Sequence, residues 1–455
     1  MNTSFFGDML QSIAERGRAL IDRARDRREV AEQRSASLVQ LCDELLSGRG
    51  EASGVALARE ILARYGELTT GPRIAFFEAL ASRFGPDRVR LAAAATGFLA
   101  APSDGAASKL HAASEPRRLE LFRRLNLAPN GTAALVRMRE QLLDAMDHRD
   151  DLKMIDSDFL HLFSSWFNRG FLVLRKIDWS TPARILEKII RYEAVHAIRD
   201  WNDLRDRIDS PDRRCYAFFH PALVDEPLIF VEVALTRGIP AAIEPILMVK
   251  RKEVEVERAK TAVFYSISNC QRGLAGVSFG HFLIKQVVEE VSREMPRLST
   301  FVTLSPSPNF AEWLKRERTT EASVALSEDD RAALAAIDRP DWWRDEEIID
   351  AVREPLMRAA AWYYLRARTP RGTPLDSVAR FHLGNGARLE RLNLVADTSE
   401  RAMRQSHGLM VNYLYDLEHI EKNHEAYAQQ QAVVAASAIT RLVKTPARDV
   451  VPAGD

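Results

Sequence analysis

Three glycines stand between a β-rich run and an amphipathic segment near the middle of the chain. Gly273, Gly276 and Gly280 follow the run at residues 261–268 and precede a predicted helix over residues 281–295. Glycine lets backbone N–H groups approach a ligand closely, and a helix N-terminus carries about half a positive charge. These two features predict a site for a pyrophosphate group. The spacing matches neither G-x-G-x-x-G nor the P-loop motif, so a glycine-rich connection without a ligand is the alternative.

A serine stands at the end of the next β-rich run, residues 299–304. It is Ser305, in the sequence Leu304-Ser305-Pro306-Ser307-Pro308. Because proline fixes the backbone φ angle, the two prolines direct the chain after Ser305 and present its hydroxyl beyond the sheet edge. Ser305 is therefore a candidate for chemistry, and a polar residue that merely ends a strand is the alternative.

His382 is the third candidate, in Phe381-His382-Leu383-Gly384-Asn385-Gly386 beside a strand-like run. Histidine changes its charge near neutral pH, so a histidine set beside an Asn-Gly turn could serve as an acid or a base. A structural histidine is the alternative. No metal site is predicted, because His419 and His424 are five residues apart, on different faces of a helix, and no H-E-x-x-H motif occurs.

Length and charge limit the classes of protein that fit the sequence. The 455 residues exceed one typical domain, which predicts two or more domains. Lys plus Arg and Asp plus Glu are equal at 64 each, so bulk charge predicts neither a nucleic-acid nor an anionic-membrane partner. No apolar run reaches the ~18 residues that span a bilayer. We therefore expect a protein that binds neither nucleic acid nor a membrane.

The number and spacing of the cysteines indicate the cellular compartment. Cys42, Cys215 and Cys270 cannot form a disulfide framework, and no C-x-x-C pair occurs, so a reducing compartment is expected. Residues 1–30 lack the continuous apolar stretch of a secretory signal, and they carry acidic residues, which a mitochondrial presequence mostly avoids. The expected location is the cytoplasm.

Two regions with different patterns of apolar residues must position the candidate residues. Up to Trp166 apolar residues recur at helical spacing and strand signals are missing, which predicts a helical bundle. Its helices are predicted at residues 14–28, 37–46, 56–65, 72–84, 87–99, 116–125 and 133–147, with a last helix ending near Trp166. The Ala-rich residues 91–102 are interpreted as part of a tightly packed helix, because the stretch is short and flanked by charge.

From Asn168 onward, β-rich runs alternate with helical ones. Strands are predicted at residues 171–177, 214–219, 227–235, 261–268, 299–304, 388–396 and 409–414. Helices are predicted at residues 182–192, 281–295, 310–316, 328–337 and 345–367. The chain is therefore predicted to be α+β, with a helical domain over residues 1–166 and a mixed α/β domain over residues 167–455.

Several segments of the second domain, taken together, resemble the malonyl-CoA decarboxylase family. The segments are WFNRGFL (166–172), EAVH (193–196), RCY (214–216), FYSIS (264–268), residues 271–285, LSPSP (304–308) with Phe310, FHL (381–383) with NGA (385–387), and residues 406–415. Their order and spacing agree with the family over nearly the whole second domain. The first domain resembles the family's helical domain only in type.

This resemblance implies an N-terminal helical domain that serves in oligomerisation, and a catalytic domain similar to the GNAT acetyltransferase fold. In that fold the strand–turn–helix holds the CoA pyrophosphate. Ser305 is then implied to be the catalytic serine, His382 the proton-donating histidine, and Tyr415 a residue that supports the site. The implied CoA-phosphate segment consists of Ala275, Gly276, Val277, Ser278, Phe279, Gly280 and His281. Ser278 is a departure, since animal members carry an acid at that position.

The implied reaction converts malonyl-CoA to acetyl-CoA and CO₂, in malonate or fatty-acid metabolism. Loss of CO₂ from a malonyl thioester leaves the electrons in a thioester enolate, so no cofactor and no metal are expected. Ser305 would bond the carboxylate or relay a proton with His382, and His382 would protonate the carbanion. Because the family forms homo-oligomers, commonly tetramers, a homo-oligomer of that kind is expected.

Two other classes of CoA-binding protein remain open. A GNAT-fold acyltransferase would keep the CoA site but would need an acceptor site for an amine, and no acidic cluster stands beside the glycine loop. A non-catalytic acyl-CoA sensor would need neither Ser305 nor His382. The presence of both residues favours an enzyme over a sensor.

Overall fold

The first part of the chain is helical. The computed structural model of the protein describes residues 38–47, 50–147, 149–248, 251–277, 283–321 and 323–443. Its first helices are α1 (Leu38–Leu46), α2 (Glu51–Gly66), α3 (Thr70–Arg83), α4 (Arg88–Ala100), α5 (Asp104–Ser114), α6 (Arg117–Leu125), α7 (Gly131–Ala145) and α8 (Lys153–Trp166). The helical nature predicted for this region is confirmed. The helix predicted at residues 14–28 lies outside the described residues.

Aromatic side chains form much of the core between these helices. The rings of Phe122 on α6 and Phe159 on α8 stack with centroids 4.2 Å apart, and both side chains are fully buried. Phe163 lies one turn further along α8, with its ring 5.4 Å from that of Phe159. Residues four apart share one face of a helix, so this spacing turns the apolar stripe of α8 toward the core.

Helices α4 and α5 differ from the sequence interpretation. Helix α4 packs against α5, an equally small-residue helix. None of the residues of α4 is buried, and Val89 and Leu99 are 82% and 78% exposed. The interpretation of residues 91–102 as a tightly packed helix is therefore wrong, because alanine periodicity shows that a helix forms but not what covers it. Helix α5 was not predicted, since it lacks an apolar stripe, although its N-cap Ser103 was a usable signal.

Two later segments pack with these helices. Residues 219–228 and 271–277 belong to the same compact unit as the residues up to 173. Gly273 lies against α7, where an added Cβ atom would come within 2.0 Å of the Val136 carbonyl oxygen. The sequence prediction assigns both segments to the domain over residues 167–455, so the compact unit and the predicted domain differ at these residues.

A mixed sheet organises the second compact unit, which contains residues 174–218, 229–270 and those from 283 onward. Its strands are β1 (Val173–Ile177), β2 (Arg213–Phe219), β3 (Pro227–Thr236), β4 (Thr261–Asn269), β5 (Thr300–Thr303), β6 (Ser305–Pro306), β7 (Arg388–Asn393) and β8 (Met410–Leu414). The order across the sheet is β1-β2-β3-β4-β5-β8-β6, and β7 also pairs with β8. Strands β4 and β5 are parallel, whereas β8 is antiparallel to β5, β6 and β7.

Helices connect and cover the strands of this sheet. They are α9 (Ala183–Tyr192), α10 (Trp201–Ile208), α11 (Glu244–Leu247), α12 (Leu283–Glu294), α13 (Phe310–Thr319), α14 (Glu328–Leu334), α15 (Glu346–Leu365), α16 (Ser377–Gly384), α17 (Glu400–Ser406), α18 (Ile420–Gln430) and α19 (Ser437–Thr440). Strands β3 and β4 are buried along almost their whole length, which explains their near-continuous apolar sequences. The predicted α+β class, a helical region followed by a mixed α/β region, is confirmed.

The close approach of Gly273 to α7 leads to a first prediction. Gly273→Ala should lower the free energy of unfolding by about 1–3 kcal/mol, because the added methyl group must displace the turn from Val136. Urea unfolding followed by circular dichroism measures the change. Gly66→Ala is the matched control in the same unit, since an added Cβ at Gly66 meets nothing within 4 Å. Equal stability of the two variants would contradict the prediction.

Candidate active site

Ser305 lies in the short strand β6, directly after β5. It pairs with Val411 of β8, and its side chain is buried. Pairing stops at Pro306, which has no N–H group to donate to a further ladder bond. The Ser305 hydroxyl donates a hydrogen bond to Oγ1 of Thr303 at 2.9 Å. The sheet therefore holds Ser305 at a strand end, where the sequence places it.

His382 lies in the last turn of α16. This helix begins after Asp376, whose carboxylate accepts a hydrogen bond from the Ala379 N–H at 2.8 Å. The chain turns away after the helix at Gly386, which has φ +83° and lies so close to Ile420 that an added Cβ would come within 2.1 Å of its carbonyl oxygen. His382 is thus fixed by a capped helix, and not by a bare turn beside a strand as the sequence suggested.

Tyr415 directly follows β8. Its N–H donates a hydrogen bond to the carbonyl of Phe301 in β5 at 2.8 Å, which continues the pairing of the two strands by one residue. The side chain is buried, and its ring lies edge-on to that of Phe264, with centroids 6.4 Å apart. Sheet pairing on one side and aromatic packing on the other therefore fix the position of the phenol.

The three side chains form one string of hydrogen bonds. His382 Nε2 lies 3.1 Å from Ser305 Oγ, and His382 Nδ1 lies 2.8 Å from the Tyr415 hydroxyl. Residues that are far apart in the sequence thus meet where β6, α16 and the end of β8 converge. The structure brings together all three residues that the resemblance names.

Burial sets the charge state of this string. It lowers the pKa of His382 to about 3 and raises the pKa of Tyr415 well above its usual range. Both side chains are therefore neutral at neutral pH, and a neutral imidazole has one donor and one acceptor nitrogen. The imidazole ring also stacks on Tyr413, with centroids 4.6 Å apart, which fixes the plane of the ring.

A cavity of about 310 Å³ adjoins the string, and both Ser305 and His382 line it. Its other walls include the apolar side chains of Ile267, Val378 and Phe381. The described residues that line it include no Lys, Arg, Asp or Glu. A carboxylate placed there would lose its hydration without gaining a counter-charge. The neutral imidazole of His382 lines the same cavity and can transfer a proton. The arrangement therefore suits acid–base chemistry on a desolvated anion.

The implied CoA-phosphate segment is described only in its first part. Ala275, Gly276 and Val277 belong to the helical unit, and Gly276 adopts φ +79°, a conformation that favours glycine. Ser278, Phe279, Gly280 and His281 lie outside the described residues. The helix predicted over residues 281–295 is present as α12, described from Leu283 to Glu294.

Arg139 holds the described part of this segment, and sequence reasoning missed it. Its guanidinium is buried and donates hydrogen bonds to the carbonyl oxygens of Gly273 and Ala275, at 2.8 and 2.7 Å. Asp156 on α8 accepts a further bond from Arg139 Nε at 2.8 Å and compensates its charge. No local pattern marks an arginine whose carbonyl partners lie more than a hundred residues away, so the sequence carries no signal for this contact.

Sequence reasoning also missed Thr303 and Tyr413, for which a signal existed. Each stands two residues before a predicted site residue, Thr303 before Ser305 and Tyr413 before Tyr415. Side chains two apart in an extended chain point to the same face. Examination of the residue two positions before each candidate would have identified both Thr303 and Tyr413.

Three further properties of the described residues concern metal ligands, membrane-spanning helices and cysteines. Among these residues no group of three or more His, Cys, Asp or Glu side chains is placed to hold a metal ion. No helix in the described part of the chain is both long and apolar enough to cross a membrane. Cys42, Cys215 and Cys270 are all buried.

Two family models match the chain over most of its length. The model described as "Malonyl-CoA decarboxylase C-terminal domain" matches residues 170–452, and the "Malonyl-CoA decarboxylase N-terminal domain" model matches residues 84–167. Mitochondrial malonyl-CoA decarboxylase of Rattus norvegicus is 34% identical over 451 residues, covering 91% of this chain and 87% of the relative. The goose enzyme (Anser anser anser) is 37% identical over 352 residues, covering 72% and 69%.

Solved structures agree with the sequence matches. The crystal structure of malonyl-CoA decarboxylase from Rhodopseudomonas palustris superposes with a TM-score of 0.86 at 59% identity, covering 89% of this chain and 98% of that one. The structure of the Agrobacterium vitis protein gives 0.85 at 56% identity, covering 90% and 100%. The fold and the buried Ser–His–Tyr string therefore define an α+β protein built for acid–base chemistry. The chain belongs to the malonyl-CoA decarboxylase family.

Burial of His382 predicts a pH-dependent stability. The folded-state pKa, about 3, lies below the ordinary value of 6.5, so the unfolded chain binds more protons and stability falls as the pH drops from about 6.5 toward 3. Between pH 7 and pH 5 the His382 contribution falls by about 2 kcal/mol. Urea unfolding at the two pH values should show a decline smaller by that amount in His382→Asn than in the wild type. The same decline in both proteins would contradict the assignment.

Proposed function

We propose that the protein decarboxylates malonyl-CoA to acetyl-CoA and CO₂. One observation carries the proposal: the Ser305–His382–Tyr415 string stands at the wall of an apolar cavity without a cationic side chain among its described lining. Membership of the family supports it, as do the names of the relatives. The cavity suits the malonyl group, and the string suits the proton that the reaction requires.

In the first step the cavity would receive the malonyl carboxylate. Apolar walls weaken the hydration of the carboxylate, which raises its free energy relative to that of the departing neutral CO₂. Ser305 lines the cavity beside His382 and would lie next to the carboxylate. The bond between the methylene and carboxylate carbons then breaks, and its electron pair passes into the thioester carbonyl as an enolate.

In the second step His382 would give the proton on Nε2 to the methylene carbon. A thioester carbanion is a far stronger base than imidazolate, so a neutral imidazole suffices as the acid, and its low pKa is no obstacle. The Tyr415 hydroxyl, bonded to Nδ1, stabilises the negative charge that develops on the ring. Water returns one proton to the ring, so the net reaction consumes malonyl-CoA and one proton.

We propose that the reaction uses no cofactor or metal ion. The thioester carbonyl lies β to the carboxylate and accepts the electron pair itself, so the chemistry needs no other electron sink. The residues from Ala275 to His281 are proposed to bind the CoA phosphates, because Gly276 leaves its backbone open to a ligand and the family uses this segment for CoA. A cytoplasmic location is proposed on the basis of cysteine usage, since the sequence has three cysteines and no C-x-x-C pair.

Decarboxylation tests the proposal directly. Malonyl-CoA labelled with ¹³C in its free carboxylate should release ¹³CO₂ with the wild-type protein, at a rate unchanged by EDTA. His382→Asn and Ser305→Ala should each lower kcat by about 10²–10⁴-fold with KM nearly unchanged, because the CoA moiety is held by other residues. The double variant should be little worse than the poorer single one, since the two residues act as one hydrogen-bonded unit.

His111→Asn is the matched control, because His111 is exposed on α5 and does not belong to the compact unit that holds the string. Circular dichroism confirms folding of each variant before its rate is compared. Near-wild-type turnover by folded His382→Asn would refute the role of His382. Release of free CoA in the presence of amines and acetyl-CoA would instead indicate an acyltransferase, and binding of malonyl-CoA without turnover would indicate a sensor.

A homo-oligomer, tetrameric as is common in the family, is also proposed, with a second copy of the chain on the exposed face of α4. Val89 and Leu99 on that helix are far more exposed than apolar side chains usually are. The groove between α4 and α5, about 680 Å³ in volume, is lined largely by alanine and glycine, which allow close approach of another helix. These features fit an interface between copies better than a solvated surface.

Light scattering should give the wild-type protein a mass several times that of the 51.3 kDa chain. Leu99→Glu should shift the mass toward that of the monomer, because it places a charge in the proposed interface. Val324→Glu is the control, since Val324 is also exposed, at 79%, but lies outside the helical unit. A monomeric wild type at micromolar concentration would overturn the proposal, and an unchanged Leu99→Glu oligomer would exclude α4 as the interface.

A further inference from the structure

Thr303 is hydrogen-bonded to Ser305, one end of the Ser305–His382–Tyr415 string. Its side chain is fully buried at the end of β5. Oγ1 accepts two hydrogen bonds, one from the Ser305 hydroxyl at 2.9 Å and one from the Tyr413 backbone N–H at 3.1 Å. A hydroxyl oxygen has two lone pairs, so both acceptor positions of Thr303 are occupied.

These bonds determine where the protons of the string lie. The Ser305 hydroxyl has a single hydrogen, and that hydrogen points to Thr303. The contact of 3.1 Å between Ser305 Oγ and His382 Nε2 must then be donated by the imidazole. A neutral imidazole protonated at Nε2 accepts at Nδ1, where the Tyr415 hydroxyl donates across 2.8 Å. Every donor in the string therefore points in the same direction, from Tyr415 to Thr303.

We propose that Thr303 is a positioning residue that keeps His382 in the tautomer with its proton on Nε2. The inference rests on the proposed function, because this tautomer is the one that can protonate the carbanion. It assigns Ser305 the part of a link between Thr303 and His382, and not that of a base. Thr303 itself is not among the residues that line the cavity, and it acts through Ser305.

The backbone around Thr303 makes this position rigid. Thr303 is in register with Phe264 of the parallel strand β4, and its carbonyl accepts a hydrogen bond from the Asn412 side-chain amide at 2.7 Å. The Tyr413 N–H that bonds Oγ1 belongs to β8, which also carries the chain to Tyr415. One threonine hydroxyl thus ties together the strands on which the string depends.

Without the Thr303 hydroxyl the string can reverse. Ser305 would turn its hydrogen toward His382 Nε2, the ring proton would move to Nδ1, and the Tyr415 oxygen would accept it. Both ring nitrogens of His382 would still have partners, whereas the Tyr413 N–H would lose its acceptor and Nε2 would have no proton to give. The expected consequence is a loss of kcat with little change in KM.

Three variants and one spectrum test the inference. Thr303→Val should lower kcat for malonyl-CoA by about 10²-fold, the low end of the loss expected for a missing general acid, with KM within about twofold. Thr303→Ser keeps the hydroxyl and should retain most of the rate. Thr261→Val is the control, because Thr261 is equally buried in β4 and lies outside the string.

The tautomer is read by ¹⁵N NMR of histidine-labelled protein. Wild-type His382, assigned by comparison with His382→Asn, should show a protonated Nε2 and an unprotonated Nδ1, and Thr303→Val should reverse the two. The wild-type spectrum decides the matter even if Thr303→Val does not fold, since a proton on Nδ1 would overturn the inference. An active wild type with inactive His382→Asn but fully active Thr303→Val would overturn it too. A wild type that releases no CO₂ would refute the proposed function, while the spectrum would still report the tautomer.

Discussion

The candidate site depends on one constraint, the burial of an imidazole that must find two hydrogen-bond partners of opposite kind. Burial keeps His382 neutral, so one ring nitrogen donates and the other accepts. A buried polar group without a partner costs more free energy than most single contacts contribute, so Ser305 and Tyr415 are structural requirements before they are chemical ones. The fold therefore has to deliver a hydroxyl to each side of one ring.

Strand β8 meets most of this requirement. It is antiparallel to β5, β6 and β7, and the residue that follows it is Tyr415. Its own residues supply the ring that stacks on His382 and the N–H that bonds Thr303. The Asn412 side chain, fully buried, uses its amide on the Thr303 carbonyl, so this carbonyl has a partner as well. A break in this strand would therefore disturb every member of the string at once.

Local patterns in the sequence predicted the elements but not their surroundings. The α+β class followed from the change in periodicity near residue 168, and the strand end at Ser305 followed from the prolines. Helix α16 was missed because the Gly384-Asn385-Gly386 run indicates a turn, although Asp376 supplies a good N-cap at its start. What covers an Ala-rich helix such as α4, and which distant carbonyl an arginine such as Arg139 bonds, are set by tertiary packing. No local pattern contains that information, and only the resemblance linked Ser305 with His382 and Tyr415.

The uncharged lining of the cavity also bears on how the proposed reaction would be accelerated. An arginine or lysine against the malonyl carboxylate would strengthen substrate binding, but it would stabilise the ground state most, since the charge leaves the carboxylate as CO₂ forms. Apolar walls avoid that penalty, because they offer the carboxylate no counter-charge. The charge moves instead toward the thioester oxygen and the methylene carbon, where His382 supplies a proton. On this view affinity has to come from the CoA moiety, so the residues that hold the nucleotide should govern KM while the string governs kcat.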